Sequence, residues 1–342
     1  MSSPSGDSNG DLPGGAGARS GFEIGDPVLA EAVREGIVEV EELLHNSVRS
    51  DLQFATRTSR HLVEAGGKRF RPLFVLLAAQ FGKAVTHDVV KSAAVVEMVH
   101  LATLYHDDVM DEATMRRGAT SANARWDNSV AILTGDLLFA QASSLVADLG
   151  PDAVRLMATT FGSLVTGQMR ETVGAASEQD PVEHYLRVIY EKTGSLIATA
   201  GRFGAWFSGA EKEHVEALER IGGIIGGGFQ ISDDIIDIAS PADESGKTPG
   251  TDLREGVRTL PVLYALADGD RRLHELLSGP LDSDAEVDEA LELLRASDGL
   301  ARARSKLDEY AAQARAEIVV LPECPAREAL SSLVDYVVDR TC

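Results

Sequence analysis

Leu104-Tyr105-His106-Asp107-Asp108-Val109-Met110-Asp111 closes an apolar, small-residue run from Ser92 to Leu104. The run has helical character, and positions four apart on a helix share a face. Asp107 and Asp111 therefore point the same way, with Asp108 beside them. Like charges at that spacing weaken a helix by about 0.2–0.5 kcal/mol, and burying them unpaired costs far more. Alone, the cluster reads as a solvated acidic helix end. A second copy reverses that reading. Gly226-Gly227-Gly228-Phe229-Gln230-Ile231-Ser232-Asp233-Asp234-Ile235-Ile236-Asp237 repeats the pattern, with Asp233 and Asp237 on one face and Asp234 adjacent. The glycines before it permit close helix–helix approach and are poor choices for a merely solvated helix. Mg²⁺ takes oxygen ligands and is held by one or two carboxylates together with substrate phosphates. Two acidic helix ends facing each other across a bundle therefore predict a magnesium site built from Asp107, Asp108, Asp111, Asp233, Asp234 and Asp237.

The helical period extends outward on both sides. Leu29, Val33, Ile37, Val40 and Leu43-Leu44 form an apolar stripe. A second helix spans 52–64, stopped by Gly66-Gly67, and a third spans 73–81, with Pro72 tolerated at its first turn. The motif helix is expected over 88–111, followed by a polar loop holding Arg116, Arg117 and Gly118. Helices follow over 129–148, 152–174, 182–207 (open to a break) and 211–238. A loop rich in Pro, Gly and Asp covers 240–259, and another helix starts at Leu260. Residues 271–340 alternate at helical spacing, broken at Gly279-Pro280. No alternating strand pattern or fixed-period repeat is present, so the fold class is all-α, a large helical bundle around a central cavity. Residues 1–26 are rich in Ser, Gly, Asp and Pro and read as a disordered N-terminal tail before a single domain over 27–342.

Composition narrows the function. The chain has 342 residues, 44% hydrophobic, with 54 acidic against 32 basic side chains and a net charge of −22. That balance is the wrong sign for a nucleic-acid binder. An anionic substrate would be repelled at long range and needs local cations. The two cysteines, Cys324 and Cys342, suggest neither a disulfide framework nor a metal knot. No apolar run is expected to reach membrane-spanning length, and no signal peptide pattern opens the chain. The cytoplasm is the expected location.

At this point the sequence resembles the trans-type isoprenyl diphosphate synthases (polyprenyl synthases). The resemblance rests on Gly66-Gly67-Lys68-Arg69-Phe70-Arg71-Pro72, the first acidic motif with Arg116-Arg117-Gly118, Lys192-Thr193, Gln230 with the second acidic motif, and Gly246-Lys247 with Asp252. It covers about Glu31 to the C-terminus, in family order. It implies a prenyltransferase in which Mg²⁺ holds an allylic diphosphate between the acidic motifs. The C–O bond ionises, isopentenyl diphosphate attacks the allylic cation, and a proton is lost. By position, Lys68, Arg71, His100 and Arg117 resemble the isopentenyl diphosphate pocket, and Arg116, Lys192 and Lys247 the allylic diphosphate contacts. Thr193 and Gln230 match residues whose oxygens face the forming cation, so Lys192, Thr193, Gln230 and Lys247 are the catalytic candidates. The family also implies a homodimer.

One position departs from the pattern. The family often has a lysine after Glu255-Gly256; here Val257 follows, then Arg258. Either Arg258 substitutes or one diphosphate contact is missing. Chain length in the family is set four or five residues before the first motif. Those positions are Thr103 and Ala102, both small, with Val99 and Val96 deeper. The resemblance thus implies a long product, heptaprenyl to decaprenyl, suited to a quinone side chain such as that of menaquinone, with Phe139 a candidate floor of the pocket. Alternatives are a shorter-chain (geranylgeranyl or farnesyl) synthase and a non-catalytic subunit regulating a partner. A class I terpene cyclase would normally lack the isopentenyl pocket and the second Asp motif. Contact with a membrane surface during product release is a further expectation.

Overall fold

The computed structural model describes residues 22–239, 249–279, 281 and 283–341. In chain order its helices are α1 (Pro27–Ser47), α2 (Gln53–Glu64), α3 (Phe70–Ala79), α4 (His87–Met110), α5 (Ala122–Arg125), α6 (Asn128–Ala147), α7 (Pro151–Val173) and α8 (Pro181–Ile189). A π turn (Tyr190–Gly194) leads into α9 (Ser195–Phe207) and α10 (Lys212–Ala239). Then come α11 (Thr251–Arg254), α12 (Leu260–Ala267), α13 (Arg271–Leu276), α14 (Asp284–Ala296), α15 (Gly299–Ile318) and α16 (Pro325–Asp339). Short polar side chains start several of them. Asp26 accepts from the Leu29 N–H at 2.8 Å, Asp127 from Val130 at 2.8 Å, and Ser283 and Glu286 form a reciprocal capping box. Each such cap contributes about 0.5–2 kcal/mol.

The helix carrying the first acidic motif, α4, is buried round most of its circumference, as a helix at the centre of a bundle must be. It packs on α1, α3, α6 and α9. The helix carrying the second motif, α10, packs on α9 and α15. Thus α9 lies against both motif helices, and it approaches α10 through glycine. A side-chain carbon on Gly201 would lie 2.3 Å from the Leu218 carbonyl oxygen of α10 and 2.8 Å from the Phe74 ring of α3.

Three details differ from the sequence expectation. The loop after α4 contains a small antiparallel hairpin, β1 (Met115–Arg116) and β2 (Ala119–Thr120), with Met115 opposite Thr120. Its two-residue tip, Arg117-Gly118, has positive φ at both positions (52° and 75°), as a tight primed turn requires. The 182–207 helix is bulged rather than broken. The expected tail is shorter where it is described: Phe22 is 4% exposed and packs against Tyr336, ring centroids 6.4 Å apart. Residues 1–21, most of that tail, lie outside the described residues.

One expectation is corrected. Helix α6 is long and apolar enough, by length and composition, to cross a membrane. Its window is only 33% buried. One face packs on α4, where a side chain on Gly135 would collide with His106, and the other exposes Ile132 and Leu133.

Candidate active site

The first acidic motif folds as its spacing predicts. Asp107 and Asp108 occupy the last turn of α4 and Asp111 is its C-cap. Their surroundings differ. Burial pushes the Asp107 carboxyl up to about 6; Lys192 opposes this and Asp111 adds to it. Asp108 is fully buried, takes the Arg116 Nε at 2.5 Å through one oxygen, and leaves the other unpartnered. Asp111 is half-exposed, 3.9 Å from Arg116 Nη2. The hairpin thus delivers Arg116 back onto the helix end that precedes it.

In the second motif each carboxylate is also engaged. Asp233 takes an ion pair from Arg340, at the end of α16. Asp234, 2% exposed, accepts from the Tyr185 hydroxyl and from Gln230 Nε2 at 3.1 Å. Burial pushes its carboxyl up to about 8. Asp237 accepts from the backbone N–H groups of Thr251 (3.1 Å) and Asp252 (3.2 Å) at the start of α11. Both motifs border one space. The Glu255 carboxyl is raised first by burial, then by Asp111 of the first motif and Asp237 of the second, against Arg116 and Lys192.

Lys192 and Thr193 ride on the π turn, a bulge of the kind that often re-aims functional side chains. Glycines clamp it from both sides. A side chain on Gly167 of α7 would sit 2.7 Å from the Lys192 nitrogen, and one on Gly226 of α10 would sit 2.7 Å from Gly194 Cα. The close approach expected of the second motif's glycines is therefore realised at Gly226. Lys192 pairs with Glu171 at 2.5 Å, and Thr193 Oγ1 donates to Gln230 Oε1 at 3.5 Å.

The basic side of the site is built round Gly66-Gly67. Gly67 has φ of 128°, and a side chain there would lie 2.8 Å from the Arg117 guanidinium carbon. Arg117 in turn donates to the Gly66 carbonyl. Beneath them Glu97, 1% exposed, pairs with Arg69 Nη1 at 2.9 Å and lies 3.7 Å from Arg117 Nη2. Arg69 also reaches Glu41 at 2.6 Å. Arg71 has no such partner for its Nε, which is buried and unsatisfied, and burial pushes its guanidinium down to about 10. His100 faces Arg71, Arg117, Arg69 and Arg116; burial first, then those cations, hold it well below the usual imidazole range, hence neutral. Lys68 is exposed at the rim. A guanidinium with an unsatisfied Nε beside a neutral imidazole has donors to offer an anion.

Most sequence-predicted residues are thus brought together. Lys247 lies outside the described residues. Arg258, after Val257, donates its Nη2 to the Leu277 carbonyl at 3.0 Å. Ala102 is buried and Thr103 half-buried, its hydroxyl bonded to the His100 carbonyl at 2.8 Å. Phe139 of α6 lies against Phe161 of α7 with ring centroids 3.9 Å apart. Sequence reading missed Glu97, Glu171, Tyr185 and Arg340. Only Glu97 carried a signal, as the one acidic residue in the apolar run 92–104.

The donor set suits a hard divalent cation. Among the described residues no three His, Cys, Asp or Glu side chains converge into a cage. An ion that arrives with substrate phosphates and keeps its waters needs no such cage.

Comparison with known proteins agrees. Residues 53–294 match the Polyprenyl synthetase family. The chain is 59% identical over 325 residues to nonaprenyl diphosphate synthase of Mycobacterium tuberculosis, covering 94% of this chain and 97% of that one. It is 46% identical to the dimethylallyltranstransferase of the same organism, covering 92% and 97%. Among solved structures, geranylgeranyl pyrophosphate synthase from Corynebacterium glutamicum, complexed with calcium and isoprenyl diphosphate, superposes with a TM-score of 0.85 at 52% identity, covering 94% and 99%. With two acidic helix ends, the basic Gly66-Gly67 seat and the Lys192-Thr193 bulge in one space, the chain belongs to the polyprenyl synthetase family, the trans-isoprenyl diphosphate synthases, and is a prenyltransferase.

Proposed function

We propose that this chain is a long-chain all-trans polyprenyl diphosphate synthase that condenses isopentenyl diphosphate repeatedly onto an allylic diphosphate, farnesyl or geranylgeranyl. The observation that carries this reading is the pairing of the two acidic helix ends around one space with Arg116 and Lys192, together with the half-buried Arg71, whose Nε is unsatisfied. Asp107, Asp111, Asp233 and Asp237 would hold Mg²⁺, which when bound neutralises the diphosphate leaving group. Arg116 and Lys192, with Lys247, bind and orient the allylic diphosphate. Lys68, Arg71, His100 and Arg117 bind the isopentenyl diphosphate. Charge grows on the leaving oxygens during ionisation, so fixed cations aimed there act most on the transition state. At ~4 Å and an effective dielectric near 20, each contact is worth ~4 kcal/mol before desolvation. The test is incubation with Mg²⁺, isopentenyl diphosphate and geranyl, farnesyl or geranylgeranyl diphosphate, with product lengths read by mass. Absence of product from every primer would overturn the reading in favour of a subunit that needs a partner.

Product length rests on α4. Ala102 and Thr103, both small, lie just over one turn before Asp107, and Val99 and Val96, both fully buried, continue the same side inward. The 59% identity to a nonaprenyl synthase supports a chain of that class, suited to a menaquinone-type side chain. The 52% identity to a geranylgeranyl synthase supports a shorter product as second reading. A ring placed at the pocket separates them: Ala102→Phe and Thr103→Phe are each expected to shorten the product by several isoprene units. Unchanged product mass in both variants would remove these positions from the pocket.

We place a second copy of the chain on α6 and α7. Ile132 (42% exposed) and Leu133 (66%) on α6, with Val165 and Met169 (64%) on α7, present apolar surface beyond what single exposed side chains explain. Leu133→Glu with Met169→Glu is expected to shift the sedimenting species from dimer to monomer; a monomeric wild type would sink the assignment. Both substrates are water-soluble diphosphates, so we place the enzyme in the cytoplasm, with membrane contact confined to product release.

A further inference from the structure

One hydrogen-bonded line runs behind the second acidic motif. Tyr185 of α8 donates its hydroxyl to Asp234 Oδ2. Gln230 donates Nε2 to the other oxygen, Oδ1, at 3.1 Å. Thr193, on the π turn, donates Oγ1 to Gln230 Oε1 at 3.5 Å. Tyr185 is 8% and Asp234 2% exposed, whereas Thr193 and Gln230 are half-buried.

We propose that Tyr185 and Asp234 are positioning residues that hold Gln230 with its amide oxygen, and not its NH₂, toward the reacting allylic carbon. This assigns Asp234 a different task from the carboxylates that would meet the metal, and it rests on the polyprenyl-transfer reading above. The two ends of a primary amide have nearly the same shape, so only its hydrogen-bond partners decide which way it faces. In the geometry observed both oxygens of Asp234 accept, Oδ1 from Gln230 Nε2 and Oδ2 from the Tyr185 hydroxyl. The amide oxygen is thereby turned to the opposite side, beside Thr193. Ionisation of the allylic C–O bond leaves positive charge on carbon. A preoriented oxygen lowers that state, and a reversed NH₂ raises it.

Tyr185 completes the lock. It occupies the second oxygen of Asp234. Without it, a buried acceptor is left unpaired and the carboxylate is free to turn away from Gln230. A glycine approach keeps the line short: a side chain on Gly226 of α10 would lie 2.7 Å from Gly194 Cα of the π turn, and the Tyr190 ring packs beside Gly194 and Gly223.

The test is Tyr185→Phe, which removes one oxygen and keeps the ring, together with Gln230→Leu and the double variant. Two ligands are titrated calorimetrically: an allylic diphosphate analogue with an ammonium at the reacting position, and a neutral analogue of the same shape. Tyr185→Phe is expected to lower kcat and the ammonium analogue's affinity each about tenfold, the size of one oriented hydrogen bond. The neutral analogue, both KM values and the Mg²⁺ requirement should stay within about twofold of wild type, the scale of an unperturbed binding site. In the Gln230→Leu background Tyr185→Phe should do nothing further. Equal loss of both analogues, or full additivity of the two substitutions, makes Tyr185 merely structural and overturns the proposal. A raised Mg²⁺ requirement on Asp234→Asn overturns it by making Asp234 a metal ligand. Product formation with an unchanged Tyr185→Phe overturns the line alone, whereas a wild type making no product overturns the reading on which it rests.

Discussion

Asp107→Asn is expected to lower kcat by about two to three orders of magnitude while the metal-free protein melts at the same temperature or higher. The first half follows from the task. Removing one oriented charge contact at a developing anion costs about 2.7–4 kcal/mol, and each 1.36 kcal/mol is tenfold in rate. The second half follows from the environment. The Asp107 carboxyl is raised to about 6 mainly by burial and by Asp111, so its ionised form is held at a cost to the fold. Asparagine keeps the shape and drops the charge. Asp108→Asn is expected to behave oppositely in stability. Asp108 is fully buried on Arg116 at 2.5 Å, and breaking a buried pair leaves a charge uncompensated. Single-turnover rates and calorimetric melting of the two variants side by side check this. If Asp107→Asn melts several degrees lower, Asp107 is a structural carboxylate and the metal-facing assignment is lost.

The same contrast shows how much of the site the sequence carried. Asp107 and Asp111 lie four apart on a helix, and that period is a property of the local chain. The basic run 66–72 is legible for the same reason, because Gly66 and Gly67 mark the positive-φ backbone that brings Arg117 against it. Long-range pairing is not legible. Arg340 reaches Asp233 from more than 100 residues away, and nothing in either neighbourhood announces the partner. Tyr185 meets Asp234 only because α8 passes α10 at that height. The π turn is hidden for a subtler reason. It adds one residue to a helical repeat over Tyr190–Gly194, too small a slip for an apolar stripe to reveal, yet it decides where Lys192 and Thr193 point. The membrane-length estimate failed on α6 because Asp136 interrupts the run to the eye, whereas the whole window averages as apolar.

Glu97 supplies the largest stability effect. Glu97→Gln is expected to destabilise the protein by about 3–5 kcal/mol, the cost of breaking a buried pair from one side. At ~2–4 °C per kcal/mol for a domain of this size class, the midpoint should fall by roughly 10 °C. Glu97 is 1% exposed and holds Arg69 at 2.9 Å and Arg117 at 3.7 Å. Arg69 keeps Glu41 as a second partner at 2.6 Å, so the charge set adrift is chiefly on the Arg117 side. Arg117 already depresses the Arg71 guanidinium, and Glu97 is the charge that opposes this. Neutralising Glu97 therefore leaves two cations facing each other round His100 with nothing between them. An anion seated there relieves that repulsion more in the variant than in the wild type. Saturating inorganic pyrophosphate should accordingly raise the Glu97→Gln midpoint further than it raises the wild-type midpoint, measured by scanning calorimetry without metal. Equal shifts in the two proteins would place the anion away from Arg71 and Arg117, and the isopentenyl diphosphate seat would have to be sought elsewhere.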